Sequence, residues 1–476
     1  MSVAPGRADR YLDRLTRMHV SNLLLMFVVF IEGFASLGVE VIALRRLVPH
    51  VGSSITVTAP TIGLFLAALA MGYWSGGRVK DCFLERVLRN FLFAAFLAGV
   101  GLSGVVVQAI FAGIGQPVVS YLVFMACVVC PPAWLLAQTV PLLTNLIDHE
   151  RAGAASGAAL TASTAGSVLG ASVLSLVVMQ LLGVSAAVLL CCATLCVGVA
   201  IGARPPRRWA PVANATLLLA VLAWFNLVPK FNTLETAYAD YRTVTVGSGG
   251  LPPTYRAPGR VFMVNEQRAS MLDAGVPARR APYIERMHRM IVDELQLKGK
   301  QVLVLGAGGF TLSAGDTTNH YTYVDIDPNI RAVAERDFLK DPINGDFIVD
   351  DARRFVAQTD RHFDAIVVDV YSSHASIPGH LVTAEFWRAL SRALTSEGMV
   401  MINLVLDNKL RAPFARGVLA TIEQGLGRCA VEVLDRSQPI GNVAVFCQPH
   451  ATPLSVVSIY TDERNSVDRD RGMSGF

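Results

Sequence analysis

Seven apolar runs of roughly 20 residues or more crowd the first half of this chain, at 21 to 44, 55 to 77, 90 to 112, 117 to 146, 154 to 182, 184 to 203 and 209 to 228. At 1.5 Å rise per residue such a run matches a bilayer core of about 30 Å. Lipid offers no partner to an open backbone, so the expected architecture there is a bundle of spanning helices. Composition agrees: 53% of the 476 residues are hydrophobic and only 16% charged, too apolar for an ordinary soluble protein. The first run reads as a span, with no cleavable signal peptide evident.

The implied organisation is a cytoplasmic N-terminus over 1–20, a helical transmembrane domain of about seven spans over 21–230, a linker and small β segment over 231–273, an α/β domain over 274–450, and a tail over 451–476 rich in Ser, Asp and Arg that is expected to be disordered. Within the spans, Glu32 and Glu40 require an account, because an ionisable residue in lipid is costly unless paired or solvated. Two readings stand: a polar or substrate-binding cavity, or an ion pair with Arg45 and Arg46 closing a helix end. Close helix contacts are expected at Gly153-x-x-x-Gly157 and Gly166-x-x-x-Gly170.

Loop cations bear on orientation. The N-terminus, the loop with Arg78, Lys80, Arg86 and Arg89, the loop with Arg151, and the loop with Arg204, Arg207 and Arg208 fall on one side. That puts the N-terminus in the cytoplasm of an inner membrane, and seven crossings then place the α/β domain outside. A cytosolic substrate argues for the cytoplasmic side, which is the expectation carried forward. Cys127, Cys130, Cys191, Cys192 and Cys196 lie in apolar spans, and Cys82, Cys429 and Cys447 are scattered, so neither a metal site nor a disulfide framework is expected. A net charge of +4 gives no reason to propose nucleic acid.

The chemistry lies in the second half. QVLVL (301–305) runs into Gly306-Ala-Gly308-Gly309; YTYV ends at Asp325, DFIV at Asp350 and Asp351, and FDAIVV at Asp369. In a doubly wound parallel sheet, ligands bind beyond the carboxyl ends of the strands. There an acid about 20 residues past the glycine turn accepts hydrogen bonds from ribose hydroxyls. Asp325 stands at that distance, so a nucleoside site is predicted. With GMVMINLV (398–405) and late strands near 429–435 and 443–448, the order resembles the Rossmann-like S-adenosylmethionine-dependent transferase fold.

Both halves together resemble the membrane-fused spermidine synthase (polyamine aminopropyltransferase) family, in which a bundle like half of a major-facilitator transporter precedes a spermidine synthase-like domain. The matching stretches are GVEVIALR from Gly38, GYWSGGR at 72–78, Gly166-Ser-Val-Leu-Gly170, Gln267 with Ser270, Tyr283-Ile-Glu285, GAGGFTLS, Val324-Asp325-Ile-Asp327-Pro, Asp351-Ala-Arg and Phe363-Asp364 leading to Asp369.

The resemblance implies a membrane-bound transferase that takes decarboxylated S-adenosylmethionine as co-substrate, passes its aminopropyl group to a putrescine-like amine and releases methylthioadenosine, with no metal, as a homodimer. It implies Asp325, Asp327 and Gln267 with Gly306 and Gly308 at the nucleoside, Asp351 at the adenine amino group, Asp369 as base, and Tyr283 and Glu285 along the amine side.

Three positions depart from the family pattern: the turn carries no acid, Ile284 replaces a histidine, and Ser372 replaces a second Asp after Asp369. Intact S-adenosylmethionine is therefore an alternative donor, for aminocarboxypropyl or methyl transfer or for cofactor cleavage, with His374 an alternative base. A catalytically silent nucleoside-binding transport or sensor protein is a third reading.

Overall fold

The computed structural model describes residues 7–51, 55–144, 152–203, 209–227, 233–236, 238–247, 258–265, 267–275, 279–371, 377–448 and 460–462, with positions 467 and 470. It divides into two units, one of Met1–Leu47 with Thr58–Phe231 and one of Val48–Val57 with Asn232–Phe476. His374, Ser372, residues 248–257 of the linker and most of the tail lie outside the described residues.

Among the described residues six helices are long and apolar enough to cross a membrane: Leu23–Val51, Val57–Gly76, Pro117–Thr144, Gly153–Leu182, Val184–Gly202 and Trp209–Leu227. The remaining apolar run is a pair of helices, Phe83–Gly101 and Gly104–Ile114, bent by 59°. The break has a local cause. Ser103 takes an extended conformation and caps the second helix, its Oγ accepting from Val106 N.

Glycine sets the closest crossing in this unit. A Cβ at Gly166 would lie 2.0 Å from Phe30 O, at Gly170 2.3 Å from Phe34 O, and at Gly33 1.9 Å from Ser163 O. Gly153 and Gly157, expected to pack in the same way, have nothing within 4 Å. Spacing alone could not separate the two motifs, because only the second faces a neighbouring helix.

Glu32 is buried and accepts from Ser163 Oγ at 2.8 Å, and buried Arg46 donates from Nε to Leu102 O and from Nη2 to Ser185 Oγ.

The second unit begins with a four-stranded antiparallel sheet in the order β1-β2-β3-β4, from Leu234–Glu235, Asp240–Val246, Gly259–Val264 and Gln267–Asp273. A seven-stranded sheet follows, built from β5 (Gln301–Leu305), β6 (His320–Asp325), β7 (Asp346–Val349), β8 (Phe363–Val368), β9 (Leu394–Asp407), β10 (Cys429–Val433) and β11 (Ile440–Cys447). Its order is β10-β11-β9-β8-β5-β6-β7. β5 to β9 are parallel neighbours and β11 enters antiparallel to β9.

Alternation along each buried strand feeds two cores. Leu303, Leu305, Ile366 and Val368 pack on one face with helices Ala384–Arg392 and Pro413–Leu426. Val302, Val304, Ala365 and Val367 pack on the other with helix Pro282–Arg289 and Phe338. This is the doubly wound, Rossmann-like architecture expected from the strand pattern. Its switch point, where the order reverses between β5 and β8, lies beside the glycine turn.

The cysteine reading needs correction. Antiparallel pairing sets Cys429 directly opposite Cys447, and the two form a disulfide across β10 and β11. Their separation in sequence concealed a contact that only strand register creates.

Candidate active site

The turn after β5 requires glycine at its first position. Gly306 has φ +88°, and a Cβ there would sit 2.2 Å from Asp369 O. This bareness lets the ends of β5 and β8 touch, bringing the glycine turn against Asp369. At Gly309 a Cβ would meet Phe338 at 2.5 Å and Ser270 Cβ at 2.7 Å. Ser270 Oγ accepts from Gly309 N at 2.8 Å, so β4 of the small sheet is seated on the turn.

Asp325, the last residue of β6, completes the turn. Its Oδ2 accepts from Ala307 N at 2.9 Å and its Oδ1 from Asp327 N at 3.0 Å. With the Ile326 N–H as a third backbone donor, the carboxylate has about four acceptor positions and keeps one for a ligand hydroxyl. Burial pushes its carboxyl above the usual range, opposed by those backbone donors. The next residue, Ile326, is 47% exposed, and Val349 at the end of β7 is 48% exposed, giving the carboxyl ends of β6 and β7 an apolar edge.

Asp327 behaves differently from its neighbour. It is 1% exposed and accepts from Thr236 Oγ1 at 2.5 Å, Tyr241 Oη at 2.8 Å, Asn329 N at 2.9 Å and Asn329 Nδ2 at 3.1 Å. Four donors saturate the carboxylate, so it ties the small sheet to the loop after β6 rather than meeting a ligand. Gln267 opens β4 opposite Val264 and is half-buried.

Asp369 follows β8, its N–H donating to Leu305 O. Asn403 Nδ2 donates to its Oδ1 at 2.8 Å, Asn442 Nδ2 donates to Asn403 Oδ1 at 2.8 Å, and Tyr371 Oη donates to Asn403 O at 2.9 Å. The Asn442 bond fixes which way the Asn403 carboxamide faces, while the Tyr371 bond is to the Asn403 backbone carbonyl. Burial raises the Asp369 carboxyl above its ordinary range, and hydrogen bonds from Asn403 and the Tyr283 hydroxyl oppose the shift. Tyr283 Oη also lies 3.0 Å from Ala269 O. Tyr283 and Asp369, distant in sequence, are thereby brought together.

Glu285 is not a free acid. Arg280 Nη1 meets its Oε2 at 3.1 Å, while Arg280 Nε and Nη2 donate to Thr311 O and Ala314 O. Asp351 caps helix Ala352–Gln358 through Arg354 N at 3.0 Å, and its other oxygen faces His380 Nε2 at 3.4 Å; Asp350 pairs with Arg354.

Sequence reasoning passed over Asn403, Asn442 and Arg280. Asn403 carries a visible signal, being the one carboxamide within GMVMINLV and 3% exposed in the structure. A buried amide in a central strand needs partners, and here its N–H partner is the Asp369 carboxylate. No cluster of His, Cys, Asp and Glu suited to a metal occurs among the described residues.

No protein-family profile matches the chain. A polyamine aminopropyltransferase from Pseudomonas syringae pv. tomato is 32% identical over 114 residues, a stretch covering 21% of this chain and 39% of that protein. The match thus spans well under half of that relative's length. Among solved structures, a probable spermidine synthase from Corynebacterium glutamicum aligns at TM-score 0.38 and 19% identity over 45% of this chain and 79% of its own. Spermidine synthase from Thermotoga maritima aligns at TM-score 0.32 and 16% identity over 49% and 81%. Human methyltransferase-like protein 13, in complex with S-adenosylhomocysteine, aligns at TM-score 0.29 and 20% identity over 40% and 84%.

Proposed function

We propose that the second unit is an aminopropyltransferase-like enzyme consuming a decarboxylated S-adenosylmethionine donor, held at a bilayer by the helices of the first. The carrying observation is the meeting of the acid-ended strands at one glycine turn, with Asp369 backed by Asn403 and Tyr283. The stretch 32% identical to a polyamine aminopropyltransferase supports the same reading.

Asp325 and Gln267 hold the ribose hydroxyls, Ile326 lies against the flat base, and Asp351 accepts from the adenine amino group. An uncharged amine nitrogen attacks the carbon beside the sulfonium. The new C–N bond forms as the C–S bond breaks, and the sulfur keeps the electron pair in departing methylthioadenosine. Asp369 takes the proton from the incoming nitrogen. A base with its pKa raised toward working pH is better suited to that transfer than an ordinary carboxylate. Tyr283 orients it, and Asp327 acts one step removed, by fixing the loop beyond Asp325.

A second reading is favoured by one observation. Glu285 is neutralised by Arg280 and the glycine turn has no acid, so the amine side lacks compensating charge for a dication. Intact S-adenosylmethionine would then be the donor. Both readings are tested by methylthioadenosine release from detergent-purified protein given either donor, with and without putrescine, read by mass spectrometry. Release confined to decarboxylated donor plus amine is the expected result. Release from intact donor alone would replace the first reading with the second, and silence in all four tubes would leave binding without catalysis.

Asn403→Ala removes a donor that stabilises the ionised form of Asp369, so it raises that pKa further. The acid limb of the pH–rate profile is expected to move upward by roughly half to one unit, since a hydrogen bond near 1 kcal/mol is worth about 0.7 unit. An unmoved limb with lowered kcat would reduce Asn403 to a packing role.

The cytosolic donor also requires Cys429 and Cys447 to be thiols in the cell, because cytosolic redox poise keeps such pairs reduced. Alkylation of both in acid-quenched cells without reductant is the expected outcome. Recovery of the intact bond would place the second unit on the oxidising face, in agreement with loop charges and seven crossings, and would remove the donor's supply.

A further inference from the structure

One feature of the first unit has no part in this chemistry. Between helices Ile55–Gly76, Phe83–Gly101 and Pro117–Thr144 lies a cavity of about 390 Å³. That is within the range of small-ligand sites, roughly 300–1,000 Å³. Arg86, Arg89, Asn90 and Phe93 line one wall; their spacing of three, four and seven residues makes a single helix stripe. Trp134 and Gln138 line the opposite wall.

The chemistry of this lining is lopsided. Among the described residues neither guanidinium has a hydrogen-bond or ion-pair partner, and no carboxylate lines the cavity. Asn90 and Gln138, both in the lining, are 4% and 6% exposed, and Asn90 Nδ2 donates to Gln138 Oε1 at 3.2 Å, so the one acceptor oxygen of the Gln138 amide is already engaged. Two cations lining one cavity without a carboxylate beside them call for an anion. Seven residues separate Arg86 from Phe93, roughly 10 Å along the axis, so the stripe runs from charged to apolar as a bilayer does from headgroup to chain. Phe93 and Trp134 are 55% and 39% exposed, where acyl chains and the interface would meet them.

We infer that this cavity is a binding site for the phosphate headgroup of an anionic glycerophospholipid. Basic pockets between spanning helices have the character such headgroups require. The inference rests on the bilayer reading of the first unit, so the two are tested separately.

Alkaline carbonate washing of membranes tests the bilayer reading: retention is expected, and release would overturn it and the lipid site together. With the chain retained, native mass spectrometry of the full-length protein in detergent tests the site, using phosphatidylglycerol, phosphatidylethanolamine and inorganic phosphate. Phosphatidylglycerol adducts should survive activation that strips phosphatidylethanolamine, and Arg86→Gln with Arg89→Gln should lower their occupancy about tenfold. Arg86→Lys with Arg89→Lys should keep most of it.

Equal retention of both lipids by the unaltered chain would overturn the inference without any variant. Displacement of phosphatidylglycerol by inorganic phosphate at equal concentration would reassign the site to a free anion and likewise overturn it.

Discussion

Asp369→Asn is expected to lower methylthioadenosine release by about 10²–10⁴-fold, the usual contribution of a positioned general base, while leaving the fold intact. Asn keeps the shape and an acceptor oxygen for Asn403 Nδ2, but it cannot take a proton from the attacking nitrogen. Stability should move the other way. A carboxyl whose folded pKa is raised binds its proton more tightly folded than unfolded, so it adds stability as pH falls through the folded pKa and costs stability once ionised. Removing that charge should therefore leave the melting temperature at neutral pH unchanged or higher. A residual rate within tenfold of the unaltered protein would exclude Asp369 as the base. A lowered melting temperature would mean that the ionised carboxylate is a net support of the fold.

Gly306→Ala is expected to cost about 2–4 kcal/mol of stability and to abolish nucleoside binding. The new Cβ would lie 2.2 Å from Asp369 O and 2.9 Å from Asp369 C, both backbone atoms held by the β5–β8 pairing, and φ +88° is strained for any L side chain. Neither strand can withdraw without breaking the hydrogen bond from Asp369 N to Leu305 O. Gly308→Ala is the control. Its φ of +51° is one that Phe310 already adopts at 55°, and the nearest atom would be Ser270 Oγ at 3.2 Å, the end of a side chain. That change should cost only about 1–2 kcal/mol. The two are compared by thermal unfolding of the detergent-solubilised chain and by binding of methylthioadenosine. Equal losses would show that the contact at Gly306 relaxes and that the turn, rather than the strand junction, carries the requirement.

What the amino-acid sequence determined by itself is what local periodicity and local chemistry encode. Long apolar runs marked helices, because a bilayer-length stretch without charges has few other uses. Short apolar runs ending in Gly306, Asp325, Asp351 and Asp369 marked the strands of a doubly wound sheet and the edge at which a ligand would sit. These signals are contained within 5 to 25 residues and survive without knowledge of partners.

The tertiary structure decided every question of pairing. Asp325 and Asp327 are two residues apart and read alike, yet the first meets backbone N–H groups only, while the second is saturated by Thr236 and Tyr241 from the small sheet and by Asn329 from its own loop. Glu285 reads as a free acid until Arg280 is found beside it. Gly153 and Gly166 open the same motif, but one faces open space and the other a backbone carbonyl. Cys429 and Cys447 are joined by register, and Asn403 reaches Asp369 across 34 residues because β8 and β9 are neighbours. A residue's type sets what it can bond, but topology sets what stands within 3 Å of it, and in this chain topology determines which acids are left for a ligand.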